Sequence, residues 1–243
     1  MTAFRSAAYL LFLIITVIPY AFACLLWAPL PLKLRYRLTI GWARLAIWGA
    51  RVITGIRWQI KGEENLPDEP AIVLSKHQSA WETLFMPAYL PREVCFVYKK
   101  ELNRIPFFGW GLALLRMIPI DRSKGKDAFE QVVRLGQKRL NEGRWPLLFP
   151  EGTRVPPGKE GRYKMGGALL ATRTGVVVVP IAHNAGECWP KKSFLKRPGL
   201  VTVSIGPPIE TAGKDAEEVN RQVRDWIENE MRQLNPERYA ARE

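Results

Sequence analysis

Short, uninterrupted apolar runs recur along the chain after about residue 55, and polar segments with glycine or proline separate them. Solid apolar runs of this length are typical of strands that are buried on both faces of a sheet. They occupy residues 71–74, 94–97, 147–149 and 176–179. Two further runs, 56–61 and 201–205, alternate apolar and polar side chains. Alternation predicts half-buried strands, and we expect the second of them to be an edge strand.

Segments with helical periodicity lie between and after these runs. One apolar face is marked by Phe129, Val132, Val133 and Leu140, and another by Val219, Val223, Trp226, Ile227 and Leu234. Apolar residues at this spacing fall on one side of a helix. Strands that alternate with helices predict a layered α/β domain. Ligands in such domains bind beyond the strand ends, so polar motifs that directly follow a strand are candidate functional sites.

The beginning of the chain has a different pattern. Residues 6–31 contain no charged side chain, and the run is too long for the apolar part of a signal peptide. A membrane-spanning helix needs about 20 apolar residues, so the run is long enough, although Pro19 would kink it. A basic amphipathic stretch follows, which contains Lys33, Arg35, Arg37, Arg44 and Arg51. We therefore expect residues 1–55 to form membrane-anchoring helices and residues 56–243 to form a separate domain.

Two arrangements of this anchor remain open. The apolar run could cross the bilayer once, or it could form a bent hairpin that enters one leaflet. In either arrangement the basic stretch and the domain after it lie on the same side of the membrane, and the excess of positive charge predicts the cytoplasmic side.

The net charge and the motif content of the chain indicate which kinds of molecule it binds. The 243 residues include 36 Lys and Arg against 23 Asp and Glu, a net charge of +13 that favours anionic partners such as membrane lipids, nucleic acids or phosphorylated substrates. We find no zinc-finger spacing and no RNA-binding aromatic motif, so we expect no nucleic-acid partner. The three cysteines, Cys24, Cys95 and Cys188, are widely spaced, which is typical of unpaired thiols in a reducing compartment.

The first polar motif follows the run 71–74 and reads His-Gln-Ser-Ala-Trp-Glu, from His77 to Glu82. The chain has two histidines, so few side chains can act as a base near neutral pH. Five residues of an ideal helix turn through about 500°. The carboxylate therefore reaches the imidazole best if His77 precedes a helix and Glu82 lies in its first turn. Such a pair would be a general base and the carboxylate that orients it.

Other interpretations of these residues remain open. Ser79 and Glu82 match the Ser-x-x-Glu capping box, in which Glu82 would only stabilise the start of a helix. Ser79 could be a nucleophile beside a histidine, but no Gly-x-Ser-x-Gly elbow surrounds it. The second histidine, His183, has no carboxylate at a matching spacing, and we interpret it as structural.

The second polar motif, from Glu151 to Arg154, follows the run 147–149 and reads Glu-Gly-Thr-Arg. Gly152 permits a tight turn and a close approach of the backbone to a ligand. The guanidinium of Arg154 can bind a phosphate through two hydrogen bonds, and Glu151 can accept hydrogen bonds from hydroxyl groups. The alternative is an ordinary surface turn with a local ion pair.

These motifs together resemble those of the 1-acyl-sn-glycerol-3-phosphate acyltransferases of bacteria. That family has His-x4-Asp, a segment with a phosphate-binding arginine, Glu-Gly-Thr-Arg and a strand end like Val-Pro-Ile. The corresponding segments here are 77–82, 118–122, 151–154 and 179–181. Order and spacing agree from about residue 57 to residue 210. The one departure is Glu82, which stands where the family usually has Asp.

The resemblance implies that residues 56–243 are an acyltransferase catalytic domain with a glycerolipid acyltransferase fold, that is, a mixed central sheet flanked by helices. It implies transfer of a fatty acyl group from acyl-CoA or acyl-carrier protein to the sn-2 hydroxyl of 1-acyl-glycerol-3-phosphate, which makes phosphatidic acid for phospholipid biosynthesis. The implied catalytic residues are His77 and Glu82. The implied substrate-binding residues are Arg122, Glu151, Gly152, Thr153, Arg154 and Lys100.

We expect no metal and no cofactor besides the acyl donor, because the sequence has no metal-ligand cluster and no dinucleotide fingerprint. The expected partners are lysophosphatidic acid, the acyl donor and membrane lipids, and the expected location is the cytoplasmic side of a bacterial inner membrane. Two rival functions are an acyltransferase for another lysolipid or an amino-lipid, and a noncatalytic basic membrane-binding protein.

Overall fold

A seven-stranded sheet forms the centre of the computed structural model, which describes residues 1–121, 123 and 125–240. The strands are β1 (Ile56–Lys61), β2 (Ile72–Ser75), β3 (Val94–Lys99), β4 (Ile118–Ile120), β5 (Trp145–Leu148), β6 (Val178–His183) and β7 (Gly199–Ile205). They lie in the order β1-β7-β6-β2-β5-β3-β4. Neighbouring strands are parallel except β6 and β7, which are antiparallel. The sheet is mixed, as predicted.

Helices precede, connect and follow the strands. They are α1 (Thr2–Leu26), α2 (Leu32–Gly49), α3 (Trp81–Tyr89), α4 (Phe108–Leu114), α5 (Lys126–Asn141), α6 (Gly166–Thr174), α7 (Ala185–Cys188), α8 (Ala216–Leu234) and α9 (Pro236–Tyr239). A π-helical turn, Ala50–Thr54, continues α2, and short 3₁₀ turns span Glu63–Asn65 and Lys100–Arg104. The predicted helical faces around residues 129–140 and 219–234 lie in α5 and α8.

Helices cover both faces of the sheet, which explains why its central strands are uninterrupted apolar runs. In β2, Ile72 and Leu74 belong to one core, whereas Val73 belongs to the other. Buried residues of α5, α6 and α8 complete the first core, and residues of α3, α7 and the end of α2 complete the second. The fold is therefore the predicted α/β architecture with a sheet between helical layers.

The position of β7 corrects one prediction, because this strand lies between β1 and β6 and not at an edge. Its polar positions are buried as well, with Thr202 and Ser204 only 7% and 6% exposed. The hydroxyl of Thr202 accepts a hydrogen bond from Gln59 Nε2 at 2.9 Å, and its N–H donates to Asn184 Oδ1 at 2.8 Å. The alternation therefore reflects one apolar face and one hydrogen-bonded polar face, since small hydroxyl side chains can be buried when they have partners.

The two N-terminal helices pack against each other and against the rest of the molecule. In α1 the buried residues are Ser6 and Tyr9, and the hydroxyl of Tyr9 donates to the carbonyl of Ala46 in α2 at 2.9 Å. Buried residues of α2 belong to both cores. Among the described residues, α1 is the one helix that is long and apolar enough to cross a membrane, with a mean hydropathy of 2.4. The division at residues 55 and 56 stays a prediction.

Candidate active site

The two polar motifs follow neighbouring parallel strands and therefore lie together. His77 comes two residues after β2, and Glu151 comes three residues after β5, which pairs with β2. The N–H of His77 donates to Glu151 Oε2 at 2.9 Å. The carbonyl of His77 accepts from the N–H of Val155, which directly follows the second motif, at 2.8 Å. Each motif thus fixes the backbone of the other.

The imidazole of His77 and the carboxylate of Glu82 are in contact, with 2.8 Å between Nδ1 and Oε1. Helix α3 begins at Trp81, so Glu82 lies in its first turn, as the spacing required. The same Oε1 also accepts from the N–H groups of Gln78 and Ser79, at 2.9 and 2.8 Å. Glu82 therefore has the geometry of the capping box and that of an orienting carboxylate at once, and the two interpretations do not exclude each other.

Electrostatics fix the tautomer of His77. Burial alone would raise the pKa of the Glu82 carboxyl, but the imidazoles of His183 and His77 and the N–H of Ser79 outweigh it, so this pKa lies below its ordinary value. An ionised carboxylate only accepts hydrogen bonds, so Nδ1 of neutral His77 carries the proton and Nε2 has a free lone pair. The ring stacks on Phe149, with 3.9 Å between ring centres, and 14% of the side chain is exposed.

Ser79 and His183 have structural roles in this arrangement. The Ser79 hydroxyl is buried and accepts from the N–H of Trp81 at 3.1 Å, which is a helix-start contact and not a contact with the imidazole. His183 Nε2 donates to the carbonyl of Lys76 at 2.8 Å, and its Nδ1 accepts from the N–H of Ala185 at 3.3 Å. Burial lowers the pKa of His183 below its ordinary value, although the charge of the nearby Glu82 carboxylate opposes this shift. The geometry thus gives no support to a serine nucleophile.

A cavity of about 360 Å³ opens beside His77. Its basic lining residues are His77, Lys99 and Arg154, and the rest of its wall is mainly apolar. Phe96, Phe108 and Leu112 also line a second, apolar cavity of about 440 Å³ between α1, α2 and α4. The two cavities are therefore neighbours that share these three side chains. The cavity beside His77 contains the cationic residues, and the other cavity is apolar.

The substrate-binding residues predicted from the sequence have different positions around this cavity. Gly152 and Arg154 line it. The hydroxyl of Thr153 accepts a hydrogen bond from Lys191 Nζ at 3.2 Å, and Thr153 itself is exposed. Glu151 is only 4% exposed, and both of its oxygens accept hydrogen bonds from the protein. Its carboxylate therefore lies beneath the cavity and not in its wall.

One of the predicted contacts lies elsewhere. Lys100 does not belong to the cavity lining, since its side chain is 56% exposed and its Nζ lies 3.7 Å from Asp121 Oδ2. The preceding residue, Lys99, ends β3 and lines the cavity instead. Arg122 lies outside the described residues, so its predicted contact with the substrate stays a prediction.

Three buried polar residues of the site were not identified from the sequence. Lys76 Nζ lies 2.7 Å from both Glu151 Oε1 and Glu228 Oε1, and the hydroxyl of Tyr163 donates to Glu228 Oε1 at 2.7 Å. Lys76 directly follows a buried strand and directly precedes the candidate base, so its position in the sequence could have indicated a buried charge at the site. Glu228 gave a weaker indication, because it follows Ile227 on the apolar face of α8.

Gly152 has a backbone conformation that explains the glycine in the second motif. Its φ is +65°, and a Cβ atom at this position would lie 2.9 Å from Lys164 Nζ. An alanine would therefore be strained in its backbone and would displace a lysine from above the turn. Among the described residues, no group of three or more His, Cys, Asp and Glu side chains is placed to hold a metal ion.

Comparisons with known proteins agree with this geometry. The acyltransferase family model matches residues 57–184. The chain is 44% identical over 211 residues to the 1-acyl-sn-glycerol-3-phosphate acyltransferase of Pseudomonas aeruginosa, with 85% of this chain and 82% of that protein covered. It is 31% identical over 230 residues to the chloroplastic 1-acyl-sn-glycerol-3-phosphate acyltransferase LPAT1 of Arabidopsis thaliana, with 93% of this chain and 61% of that longer protein covered.

A solved structure shows the same fold. The crystal structure of the 1-acyl-sn-glycerophosphate acyltransferase of Thermotoga maritima matches with a TM-score of 0.77 and 22% identity, covering 97% of this chain and 98% of that one. The chain therefore belongs to the acyltransferase family, and within it to the 1-acyl-sn-glycerol-3-phosphate acyltransferases. The family predicted from the motifs is confirmed.

Proposed function

We propose that the protein acylates the sn-2 hydroxyl of 1-acyl-sn-glycerol-3-phosphate with a fatty acyl group from a thioester, and so produces phosphatidic acid. The observation that supports this most directly is the 2.8 Å contact between His77 Nδ1 and Glu82 Oε1 beside a cavity with cationic and apolar walls. A lysophosphatidic acid has the matching parts, which are a phosphate, a free hydroxyl and an apolar tail. The similarity to the Pseudomonas enzyme supports the same substrate.

His77 acts as the general base in this proposal. Glu82 keeps the proton on Nδ1, so Nε2 takes the proton of the sn-2 hydroxyl while its oxygen attacks the thioester carbonyl. The new carbon–oxygen bond forms, the carbon–sulfur bond breaks, and the departing thiolate receives the proton from Nε2. No covalent acyl-enzyme is needed, because the acceptor hydroxyl is itself the nucleophile.

The cationic lining places the phosphate of the acceptor. Arg154 offers a planar fork of donors that matches a phosphate, and Lys99 adds a second positive charge in the same cavity. We assign Arg122 to the same phosphate on the resemblance alone. Glu151 and Gly152 shape the turn that presents Arg154, because the carboxylate of Glu151 is buried and Gly152 has a positive φ.

The apolar cavity between the N-terminal helices is the proposed place for an acyl chain. It is lined by residues of α1, α2 and α4 and shares Phe96, Phe108 and Leu112 with the cavity beside His77. A chain that lies there has its carbonyl or glycerol end near the base. Apolar surface buried in this way is stabilised by about 25 cal/mol per Å².

We propose that α1 attaches the protein to the cytoplasmic side of the inner membrane. The helix has 25 residues, its most apolar stretch of 18 residues has a mean hydropathy of 2.4, and only 6% of that stretch is buried in the protein. The basic residues of α2 follow directly, and basic residues next to an apolar helix favour the cytoplasmic side. The acyl donor in this location would be acyl-CoA or acyl-carrier protein, and we propose no other cofactor.

A panel of acceptors tests the function. Purified protein is incubated with labelled acyl-CoA and, in separate reactions, with 1-acyl-glycerol-3-phosphate, other lysolipids and an amino-lipid. We expect phosphatidic acid to be the main product.

The variant His77→Ala tests the mechanism. It should lower kcat by at least about 10²-fold, the usual contribution of a positioned base, without loss of folding. Preference for an uncharged lysolipid would contradict the proposed acceptor, and an active His77→Ala enzyme would contradict the mechanism.

A further inference from the structure

We infer that Lys76, held between Glu151 and Glu228, positions the general base, and that α8 thereby forms part of the catalytic apparatus. The inference rests on the proposed function, because it concerns the residue that holds His77 in place. It assigns a role in catalysis to residues that do not touch the substrate cavity. Lys76 and Glu228 are therefore positioning residues and not catalytic residues.

The ammonium group of Lys76 is fully enclosed. None of the residue is exposed, and Nζ lies 2.7 Å from Glu151 Oε1, 2.7 Å from Glu228 Oε1 and 3.4 Å from the carbonyl oxygen of Lys159. An ammonium has three donors, so these three acceptors use all of them. These contacts fix the orientation of the side chain. They also satisfy the requirement that a buried charge be paired and hydrogen-bonded.

Glu151 connects this ammonium to the base. One of its oxygens accepts from Lys76 Nζ, and the other accepts from the N–H of His77 at 2.9 Å. Lys76 is also held through its main chain, since its carbonyl accepts from His183 Nε2 at 2.8 Å. The position of the His77 backbone thus depends on a carboxylate whose own position depends on the lysine.

Glu228 brings the C-terminal helix into this arrangement. It is 2% exposed, lies in α8, and accepts hydrogen bonds at Oε1 from both Lys76 and the hydroxyl of Tyr163. The family model matches residues 57–184 and so does not include α8. The structure nevertheless connects a side chain of this helix to the backbone N–H of the candidate base through two intermediate side chains, those of Lys76 and Glu151.

The charges explain why the three residues act as a unit. Burial raises the pKa of the Glu151 carboxyl to about 6, and the charge of Lys76 and the hydrogen bonds from Lys76 and His77 limit that rise. For Lys76 burial favours the neutral form, but Glu151 and Glu228 outweigh it and raise the pKa of the ammonium. Without Lys76 two carboxylates would face each other in the core, and one would have to gain a proton or move. Movement of Glu151 would release the N–H of His77.

Stability alone does not account for such a cluster, because a buried ion pair can often be replaced by well-packed apolar residues without loss of stability. Precise placement of a base does account for it, since a misplacement of about 1 Å can lower turnover by about 10²-fold. Loss of the lysine should therefore affect kcat. The KM for the acceptor should change less than kcat, because Arg154 and Lys99 line the cavity and, in the described part of the chain, neither side chain forms a hydrogen bond with the cluster.

The experiment compares Lys76→Met with the double variant Lys76→Met/Glu228→Met. The single change leaves two buried carboxylates without their cation, and we expect a lower melting temperature and a kcat lower by about 10²-fold. The double change removes the ammonium together with one carboxylate, so the melting temperature should recover toward that of the wild type. Its kcat should stay low, because Glu151 still lacks the ammonium that holds it, and the KM for the acceptor should change by a smaller factor than kcat.

An exposed ion pair provides the matched control. Arg173 NH1 and Glu130 Oε2 lie 2.6 Å apart with 48% and 49% of their side chains exposed. The double variant Arg173→Met/Glu130→Met should keep wild-type kcat. Recovery of kcat together with the melting temperature in the Lys76→Met/Glu228→Met enzyme would overturn the positioning role, as would an unchanged kcat in Lys76→Met. An inactive wild-type enzyme would instead contradict the proposed function, so the two failures are distinct.

Discussion

Glu82 shows how one side chain can meet a structural and a chemical requirement with the same atom. Its Oε1 accepts from two backbone N–H groups at the start of α3 and from Nδ1 of His77. Its Oε2 is buried and has no hydrogen-bond partner in the described part of the chain. The helix start therefore fixes the carboxylate, and the carboxylate fixes the imidazole.

A variant without the charge tests this coupling. In Glu82→Gln the amide oxygen can keep the capping contacts, but it cannot stabilise the imidazolium that forms during proton transfer. We expect kcat to fall by about 10²-fold to 10⁴-fold, by analogy with the loss of the carboxylate in a serine-protease triad. The unfolding free energy should fall by about 1–3 kcal/mol, because the hydrogen bonds accepted at Oε1 would no longer be made to a charged carboxylate.

Glu82→Asp serves as the comparison for this variant, because it keeps the charge and introduces the residue usual in the family. Steady-state kinetics and thermal melting of both variants separate the two roles. If Glu82→Gln kept full turnover, the orienting role would be wrong and His77 would be an unassisted base.

Two adjacent lysines provide a test of phosphate binding with a built-in control. Lys99 lines the cavity beside His77, whereas Lys100 points toward Asp121 outside it. We expect Lys99→Ala to raise the KM for the acceptor about 10-fold, which corresponds to about 1.4 kcal/mol of lost interaction. Lys100→Ala should leave that KM unchanged. Equal effects of the two substitutions in initial-rate measurements would show that only the overall charge matters.

The sequence predicted part of the site and not all of it, for physical reasons. The contact between His77 and Glu82 is local, so the strand, the turn and the helix phase were enough to predict it. Lys76 and Glu228 are separated by 152 residues, and no local pattern specifies that pairing. Whether Lys99 or Lys100 faces the cavity depends on the residue at which β3 ends. The apolar run in the sequence does not define that end to within one residue.

At the scale of elements, solid apolar runs were the most informative pattern. The runs at 71–74, 94–97 and 147–149 overlap β2, β3 and β5, because both faces of these strands are covered. The prediction that β7 is an edge strand was wrong, because its buried Thr202 and Ser204 give the same alternation of apolar and polar residues as a strand with one solvent-exposed face. Strand β4 has three residues with a central proline, which is a pattern too short to predict, and it forms the edge of the sheet, where proline is tolerated.

Helix α1 presents an apolar stripe that the rest of the protein does not cover. Leu11, Ile15, Ile18 and Phe22 are 58%, 61%, 52% and 56% exposed and lie on one face at spacings of three and four residues. If this face contacts lipid, Ile15→Asp should weaken attachment strongly, since a carboxylate near the middle of a bilayer costs about 2.5–3.5 kcal/mol on insertion scales.

Vesicle flotation measures this effect. The fraction of Ile15→Asp protein that floats with anionic vesicles should fall well below that of the wild type. Leu195→Asp is the control, because Leu195 is 37% exposed and lies outside the N-terminal helices. Equal flotation of Ile15→Asp and the wild type would show that this face does not enter the membrane.

At the scale of the whole molecule, the apolar N-terminal helix α1 and a positively charged α/β domain pack together in one fold. The N-terminal helices line part of the apolar cavity, the proposed base and cations follow or end β2, β3 and β5, and Glu228 of α8 pairs with Lys76 next to the proposed base. The net charge of +13 suits the anionic acceptor and the proposed anionic membrane surface. The arrangement explains why motifs distant in the chain serve one reaction.

Buried ionisable groups also predict how the stability of the whole protein depends on pH. Burial lowers the pKa of His183 in the folded state below its ordinary value of 6.5. Below that pH the unfolded chain binds more protons at this residue than the folded chain, so the unfolding free energy falls as the pH falls. Glu82, whose pKa is lowered, contributes in the same direction at lower pH, whereas Glu151, with its pKa raised to about 6, opposes it.

The variant His183→Gln isolates the contribution of His183. A glutamine amide can still donate to the carbonyl of Lys76 but does not titrate, so the variant should lose less stability than the wild type between pH 7.5 and about pH 5.5. The wild type should lose up to about 1.4 kcal/mol per pH unit from this residue. Thermal melting of both proteins across the pH range measures the difference, and the contribution of Glu151 is common to both. Parallel curves would mean that His183 takes up its proton as readily in the folded protein as in the unfolded chain, and that its contact with Lys76 does not depend on a neutral ring.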